Sequence, residues 1–203
     1  MYRYLLTISS MGLLWGAVLA YSILPVFAED EQESTKATIV RQIIHFIKGK
    51  NVRLGNDTLT RMANAVYEES RLYELDYRLV LAVIKVESNF RHDAVSHRGA
   101  HGLMQVKPAL AKFIAKGAGV PYKGSGCLSE PEKNIRLGVY HLSNLMEDFQ
   151  DLGVALHAYN TGPAKAKIGV QNRVSKEKGP TNRFAKHVLK EYRKNIEVLP
   201  DVE

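Results

Sequence analysis

The chain reads as a mainly α-helical protein, on three observations. Apolar residues recur every three to four positions along successive stretches, the period of one helix face. No stretch alternates apolar and polar residues over several positions, as a half-buried strand would. Asp, Asn and Pro stand just ahead of the periodic stretches, where they cap or start helices. No internal repeat or low-complexity block interrupts this pattern.

The elements follow in order. After a polar, acidic segment at residues 29–34, Ile39, Ile43, Ile44 and Ile47 mark a first amphipathic helix that Gly49 ends. Asn56 or Asp57 caps a second, with Leu59, Met62, Ala63 and Val66 as its inward stripe. Asp76 caps a third, strongly apolar helix that runs to Glu87. Pro108 suits the first turn of another, stopped by Gly117. Residues 119–131, with Pro121, Gly124, Gly126 and Pro131, read as a loop. Ile135, Val139, Leu142, Met146 and Phe149 then form a long core helix, and Asp151 caps a short one ending near Tyr159 and Asn160. Residues 163–180, rich in Lys, Gly and Pro, carry no dependable period and read as an exposed connection. Thr181 or Asn182 begins a final helix carrying Phe184, Val188, Tyr192 and Ile196.

Residues 1–28 have the three parts of a secretory signal peptide: Arg3, an apolar run over 5–27, and Val26 and Ala28 at a cleavage-type boundary before the acidic Glu29. Export to the periplasm or cell envelope is the expectation. The alternative is an uncleaved inner-membrane anchor, since the run approaches the roughly 20 apolar residues that cross a bilayer. Without residues 1–28 there remain 27 Lys and Arg against 21 Asp and Glu. That excess suits a polyanionic surface, whether nucleic acid, anionic lipid or the carboxylate-bearing peptides of a cell wall. No nucleic-acid-reading motif occurs, and export argues further against nucleic acid. Cys127, the one cysteine, has no partner for an internal disulfide and reads as a bystander.

Glu87 is the residue of greatest chemical interest. At 3.6 residues per turn it shares a helix face with Val80, Val83 and Ile84, so its carboxyl group starts from the core side. Desolvation favours its protonated form, as a general acid near neutral pH requires. Around it stand ordered blocks: Glu87, Ser88, Asn89 and Phe90; Ala94, Val95 and Ser96; Gly99 and Ala100; Gly102, Leu103, Met104 and Gln105 with Pro108. Further on come Asn134 to Gly138 and then Ala155, Leu156, His157, Ala158, Tyr159, Asn160, Thr161, Gly162 and Pro163. In this order the blocks resemble the soluble lytic transglycosylase (SLT domain) family over most of residues 75–195.

The resemblance implies a lysozyme-like helical domain with a central active-site groove, at residues 75–197. Residues 29–74 would pack on it as N-terminal helices, and 198–203 would form a tail. It implies peptidoglycan glycan strands as partner and cleavage between N-acetylmuramic acid and N-acetylglucosamine. Family members lack the second carboxylate of an ordinary glycosidase pair, so Glu87 would serve as acid and then as base. Ser96 matches a serine that contacts this glutamate or the nearby sugar, Gln105 a glutamine that binds N-acetyl sugars, and Tyr159 a tyrosine aimed at the carboxylate. Asn160 would fix the turn that follows. Lys107 replaces a frequent apolar residue and would meet a peptide-stem carboxylate. Thr181, Asn182, Arg183 and Phe184 depart from the family's last block, which carries an acid and a tyrosine hydroxyl.

Two other readings are a muramidase that cleaves the same bond with water, and a non-catalytic peptidoglycan-binding or secretion-associated protein. Cell-envelope or secretion-machinery partners suit any of the three. Asp93 reads as an exposed loop carboxylate. His92, His97 and His101 lack the spacing of metal ligands, so no metal and no cofactor is expected.

Overall fold

Each apolar stripe becomes a helix in the computed structural model, which describes residues 33–50, 52, 54–171 and 182–201. The expected leader at 1–28 lies outside the described residues. Residues Ile39–Glu203 form one compact unit, with 1–38 grouped separately.

Helix α1 spans residues 33–48, and within the compact unit it buries Ile39, Ile43 and Ile47; the Gly49 N–H closes it on the His45 carbonyl at 3.1 Å. Helix α2 is Asn56–Leu72, started by Gly55 rather than by a side-chain cap at Asn56 or Asp57. It buries Leu59, Met62, Ala63 and Val66, the stripe read from the sequence. Helix α3, Tyr77–Ser88, is capped as expected, with the Asp76 carboxylate accepting from the Arg78 N–H at 2.8 Å. Its residues Leu79 to Ile84 are all buried, so it is the central helix of the core.

Helix α4, Pro108–Ile114, begins at the predicted proline and ends three residues before Gly117. A 3₁₀ turn at Ser125–Ser129 lies in the predicted loop and leads into α5, Pro131–Phe149. Asp151 caps α6, Leu152–Thr161, through the Val154 N–H at 2.7 Å. Residues 163–180 hold one difference from expectation: Pro163–Gln171 form a helix, α7. It anchors itself through Ala166, fully buried, with its other described side chains largely exposed, so one small apolar residue left no stripe to read. Residues 172–181 lie outside the described residues.

Asn182 caps the last helix, α8 (Arg183–Val198), by accepting from the Ala185 N–H at 2.8 Å. Val188 is buried as predicted, but Ile196 is 44% exposed and Asn195, at 3%, takes the inward position beside it. The Asn195 amide donates to the Arg78 carbonyl at 2.8 Å, so this end of α8 joins α3 by a hydrogen bond. Helix α3 packs against α8, α2 against α5, and α5 against α6, giving one shared core. No regular strand occurs among the described residues; the loop between α3 and α4 holds two isolated antiparallel bridges, Val95 with His101 and His101 with Val106.

Candidate active site

The chain turns away sharply just after Glu87. Asn89 and Phe90 both adopt left-handed backbone, at φ 52° and 63°, and the Asn89 N–H closes the helix on the Lys85 carbonyl. Phe90 is fully buried in a T-shaped pair with Phe46, which anchors a conformation that non-glycine residues seldom adopt. Glu87 is thereby left on the last turn of α3, partly buried, at the wall of a groove of about 760 Å³.

Burial raises the Glu87 pKa from 4.5 to about 7. Desolvation is the whole cause, with no neighbouring acid contributing. Asp148 is the other acid lining the groove, exposed near the end of α5. Asp93 is exposed and outside the lining.

Ser96, Gln105, Lys107, Tyr159 and Asn160 line the same groove as Glu87. The first three arrive on the loop before α4. Its folding is set by the pair of hydrogen bonds between His101 and Val106 and by Gly102 N–H to Ala94 carbonyl at 2.8 Å. Ser96 Oγ accepts from the Ala100 N–H at 3.0 Å, so its oxygen also shapes the loop. Gln105, at φ 50°, donates Nε2–H to the carbonyls of Gly102 (2.8 Å) and Ala94 (3.2 Å). Its amide nitrogen is committed to holding this turn. Lys107 is exposed and is the residue from which α4 starts.

Beneath this loop sits Asn134, fully buried in α5. Its Oδ1 accepts from the Met104 N–H at 2.8 Å, and its Nδ2 donates to the carbonyls of His101 and Leu128, both at 2.9 Å. One amide thus ties the groove's loop to the 3₁₀ turn and to α5. Gly102 permits the approach: at φ 75°, a Cβ there would stand 2.3 Å from the Leu128 carbonyl oxygen and 2.4 Å from Asn134 Nδ2. Gly138 does the same for Met104, whose sulfur would be 2.4 Å from an added Cβ.

Tyr159 comes from α6. Its hydroxyl donates to the Met104 carbonyl at 2.8 Å. Desolvation, and then the Glu87 charge, push its pKa well above the ordinary value, so it stays protonated. Its ring lies between His141, at 5.3 Å, and Phe184 of α8, stacked at 6.3 Å with 6° between planes. Phe184 occupies one position of the departing last block and supplies a supporting ring without a hydroxyl. Asn160 Oδ1 accepts from Asn182 Nδ2 at 2.9 Å, which joins the end of α6 to the start of α8.

Sequence reasoning missed His141, Asn134 and Phe113 as residues that line or build the groove. His141 shares a helix face with Gly138 and Leu145, a signal readable from spacing. Burial lowers its pKa to about 4, so it is uncharged near neutral pH. His97 lines the groove, while His92 Nδ1 lies 3.2 Å from the Ser129 carbonyl oxygen. Among the described residues no cluster of His, Cys, Asp or Glu is arranged to hold a metal ion.

Comparison with known proteins gives the family of the chain. The Transglycosylase SLT domain model matches residues 64–182, more than half of the chain. A soluble lytic murein transglycosylase from Salmonella typhimurium is 30% identical over 141 residues, 68% of this chain and 21% of that protein. A membrane-bound lytic murein transglycosylase C from Edwardsiella ictaluri is 34% identical over 114 residues, covering 52% of this chain and 31% of that one. An inactive mutant of lytic transglycosylase Slt from Pseudomonas aeruginosa superposes with a TM-score of 0.58 at 26% identity, over 67% of this chain and 24% of that one. The 70 kDa soluble lytic transglycosylase in complex with bulgecin A, at 20% identity and TM-score 0.61, shares the fold over 82% of this chain and 32% of its own. The chain therefore spans about a fifth to a third of the length of these relatives. With its helical fold, its groove and the span of that match, the chain belongs to the Transglycosylase SLT domain family.

Proposed function

We propose that this protein is a peptidoglycan lytic transglycosylase that cuts the β-1,4 bond between N-acetylmuramic acid and N-acetylglucosamine and leaves 1,6-anhydromuramyl ends. The observation that carries this reading is Glu87, a groove-lining carboxyl group whose pKa burial alone raises to about 7. Family membership supplies the substrate class.

Protonated Glu87 donates its proton to the glycosidic oxygen as that oxygen leaves the anomeric carbon. The substrate's own 2-acetamido oxygen meets the developing positive charge, already oriented by its attachment to the ring. The carboxylate then removes the proton from the muramyl 6-hydroxyl while that oxygen bonds to the anomeric carbon. Glu87 returns to its protonated form, and no water is consumed. A pKa near 7 suits both halves, since the same group must give and regain a proton. Ser96 and Gln105 hold the loop that faces the sugars, Tyr159 and Asn160 line the groove from α6, and Lys107 meets a stem carboxylate.

The residues before α1 direct export to the periplasm or cell envelope, and sequencing the N-terminus of the mature protein separates cleavage from anchoring. Among the described residues no helix is long and apolar enough to cross a membrane. Mass spectrometry of products from purified sacculi tests the reaction. Anhydro ends, one water lighter than reducing ends, are expected. Reducing ends that disappear in Asp148→Asn would instead make this a hydrolase with Asp148 as the water-activating base.

A further inference from the structure

Phe113 is 85% exposed, an unusual position for a whole aromatic ring on an ordered helix. Folding does not call for it there, because α4 already packs through Ala111, fully buried, and Ile114, at 7%. The ring nevertheless lines the groove that holds Glu87. Leu110, three residues earlier and so on the same helix surface, lines it too. The other large exposed apolar residues among those described, Leu72, Val95, Ile168, Ile196 and Val198, do not line the groove. Apolar exposure at Phe113 thus belongs to the groove and not to a wider apolar face of the kind that docks proteins.

A pyranose ring has a matching two-sided character. Its axial hydrogens form an apolar face, and its hydroxyl and acetamido groups form a polar edge. We infer, resting on the glycan-cleaving reading above, that Phe113 with Leu110 forms a subsite that covers the apolar face of one sugar of the strand. The polar edge then turns towards Arg98 and Asn144, which also line the groove. Such a site acts on strand binding: a phenyl ring has no proton to give, and it contributes by removing apolar surface from water.

The test uses Phe113→Ala and Phe113→Trp, each in the otherwise unchanged protein and together with Glu87→Gln. In the Glu87→Gln background, Phe113→Ala is expected to weaken co-sedimentation with purified sacculi about five- to tenfold, while Phe113→Trp retains it. In the active protein, Phe113→Ala is expected to raise KM on solubilised strands by a similar factor, with a much smaller change in kcat. Binding and KM unchanged in Phe113→Ala would overturn the subsite. A change in oligomeric mass in place of a change in KM would also overturn it, assigning the ring to a second copy of the chain. Should the protein release no products while Glu87→Gln still sediments in a Phe113-dependent way, the enzymatic reading fails and the subsite stands. Failure of both proteins to sediment overturns both.

Discussion

At the scale of single residues, the behaviour of Glu87 follows from its surroundings. Desolvation shifts its pKa with no charge partner involved, so the group is protonated over much of the range in which other carboxylates are ionised. Glu87→Gln is expected to abolish release of anhydromuropeptides while the protein still binds sacculi; unchanged release would remove Glu87 from the reaction. The pH profile gives a second check. Because the first step needs the protonated acid, kcat/KM is expected to fall above pH about 7, approaching about tenfold per pH unit. Tyr159 adds no titration near neutral pH, since its own pKa is pushed further up.

Among the elements, the loop between α3 and α4 depends on a residue in α5. Asn134 satisfies one N–H and one carbonyl of the loop, at Met104 and His101, and the Leu128 carbonyl of the 3₁₀ turn; without it the Met104 N–H and the Leu128 carbonyl lose this partner, while the His101 carbonyl keeps the Val106 N–H. Asn134→Ala is expected to destabilise the fold by about 3 kcal/mol in urea unfolding and to impair cleavage through the loop it holds. Substitution without loss of stability would show that water replaces the amide. This is also where reading from sequence reached its limit. Helix spacing, Asp76, Asp151 and Pro108 located helices and several boundaries, because caps and apolar faces are local properties. The placement of Ser96, Gln105, Tyr159 and Asn160 around one groove came from ordered motif blocks. Asn134 stood within one of those blocks, yet its hydrogen bonds reach up to 33 residues away and leave no periodic trace. α7 escaped because, among its described side chains, only the small Ala166 is buried, and Ile196 misled because Asn195 turns inward to bond α3.

Over the whole molecule, acid response has two opposed parts. Glu87 binds its proton more tightly folded than unfolded, so folding stability is expected to fall as pH rises from 4.5 to about 7. The full change is about 3 kcal/mol. Glu87→Gln should erase that slope and, at pH 8, exceed the parent in stability by up to this amount; equal slopes in denaturant titrations would refute the linkage. Asp76 acts in the other sense. Burial raises its pKa, but hydrogen bonds from Arg78 and Tyr192 and the Arg78 charge outweigh it and hold the carboxyl below its ordinary value. Its contribution is therefore present above the ordinary carboxylate range and is lost as pH falls through its lowered folded value. Asp76→Asn is expected to cost about 2 kcal/mol at neutral pH and to flatten the acid limb. His141, whose pKa burial lowers from 6.5 to about 4, acts in the same sense as Asp76: its share of stability is lost as pH falls over that interval.

Helix α8 and its cap residue, Asn182, hold α3 and α6 at several points. Phe184 stacks on Tyr159, Asn182 holds Asn160, Asn195 bonds the Arg78 carbonyl, and Tyr192 reaches the Asp76 cap. During synthesis Glu87 leaves the ribosome long before these four partners do. A nascent chain would carry the acid before these contacts exist, so on the proposed function cleavage waits until the last helix docks. The order of the helices along the chain thus sets the order in which the groove is completed.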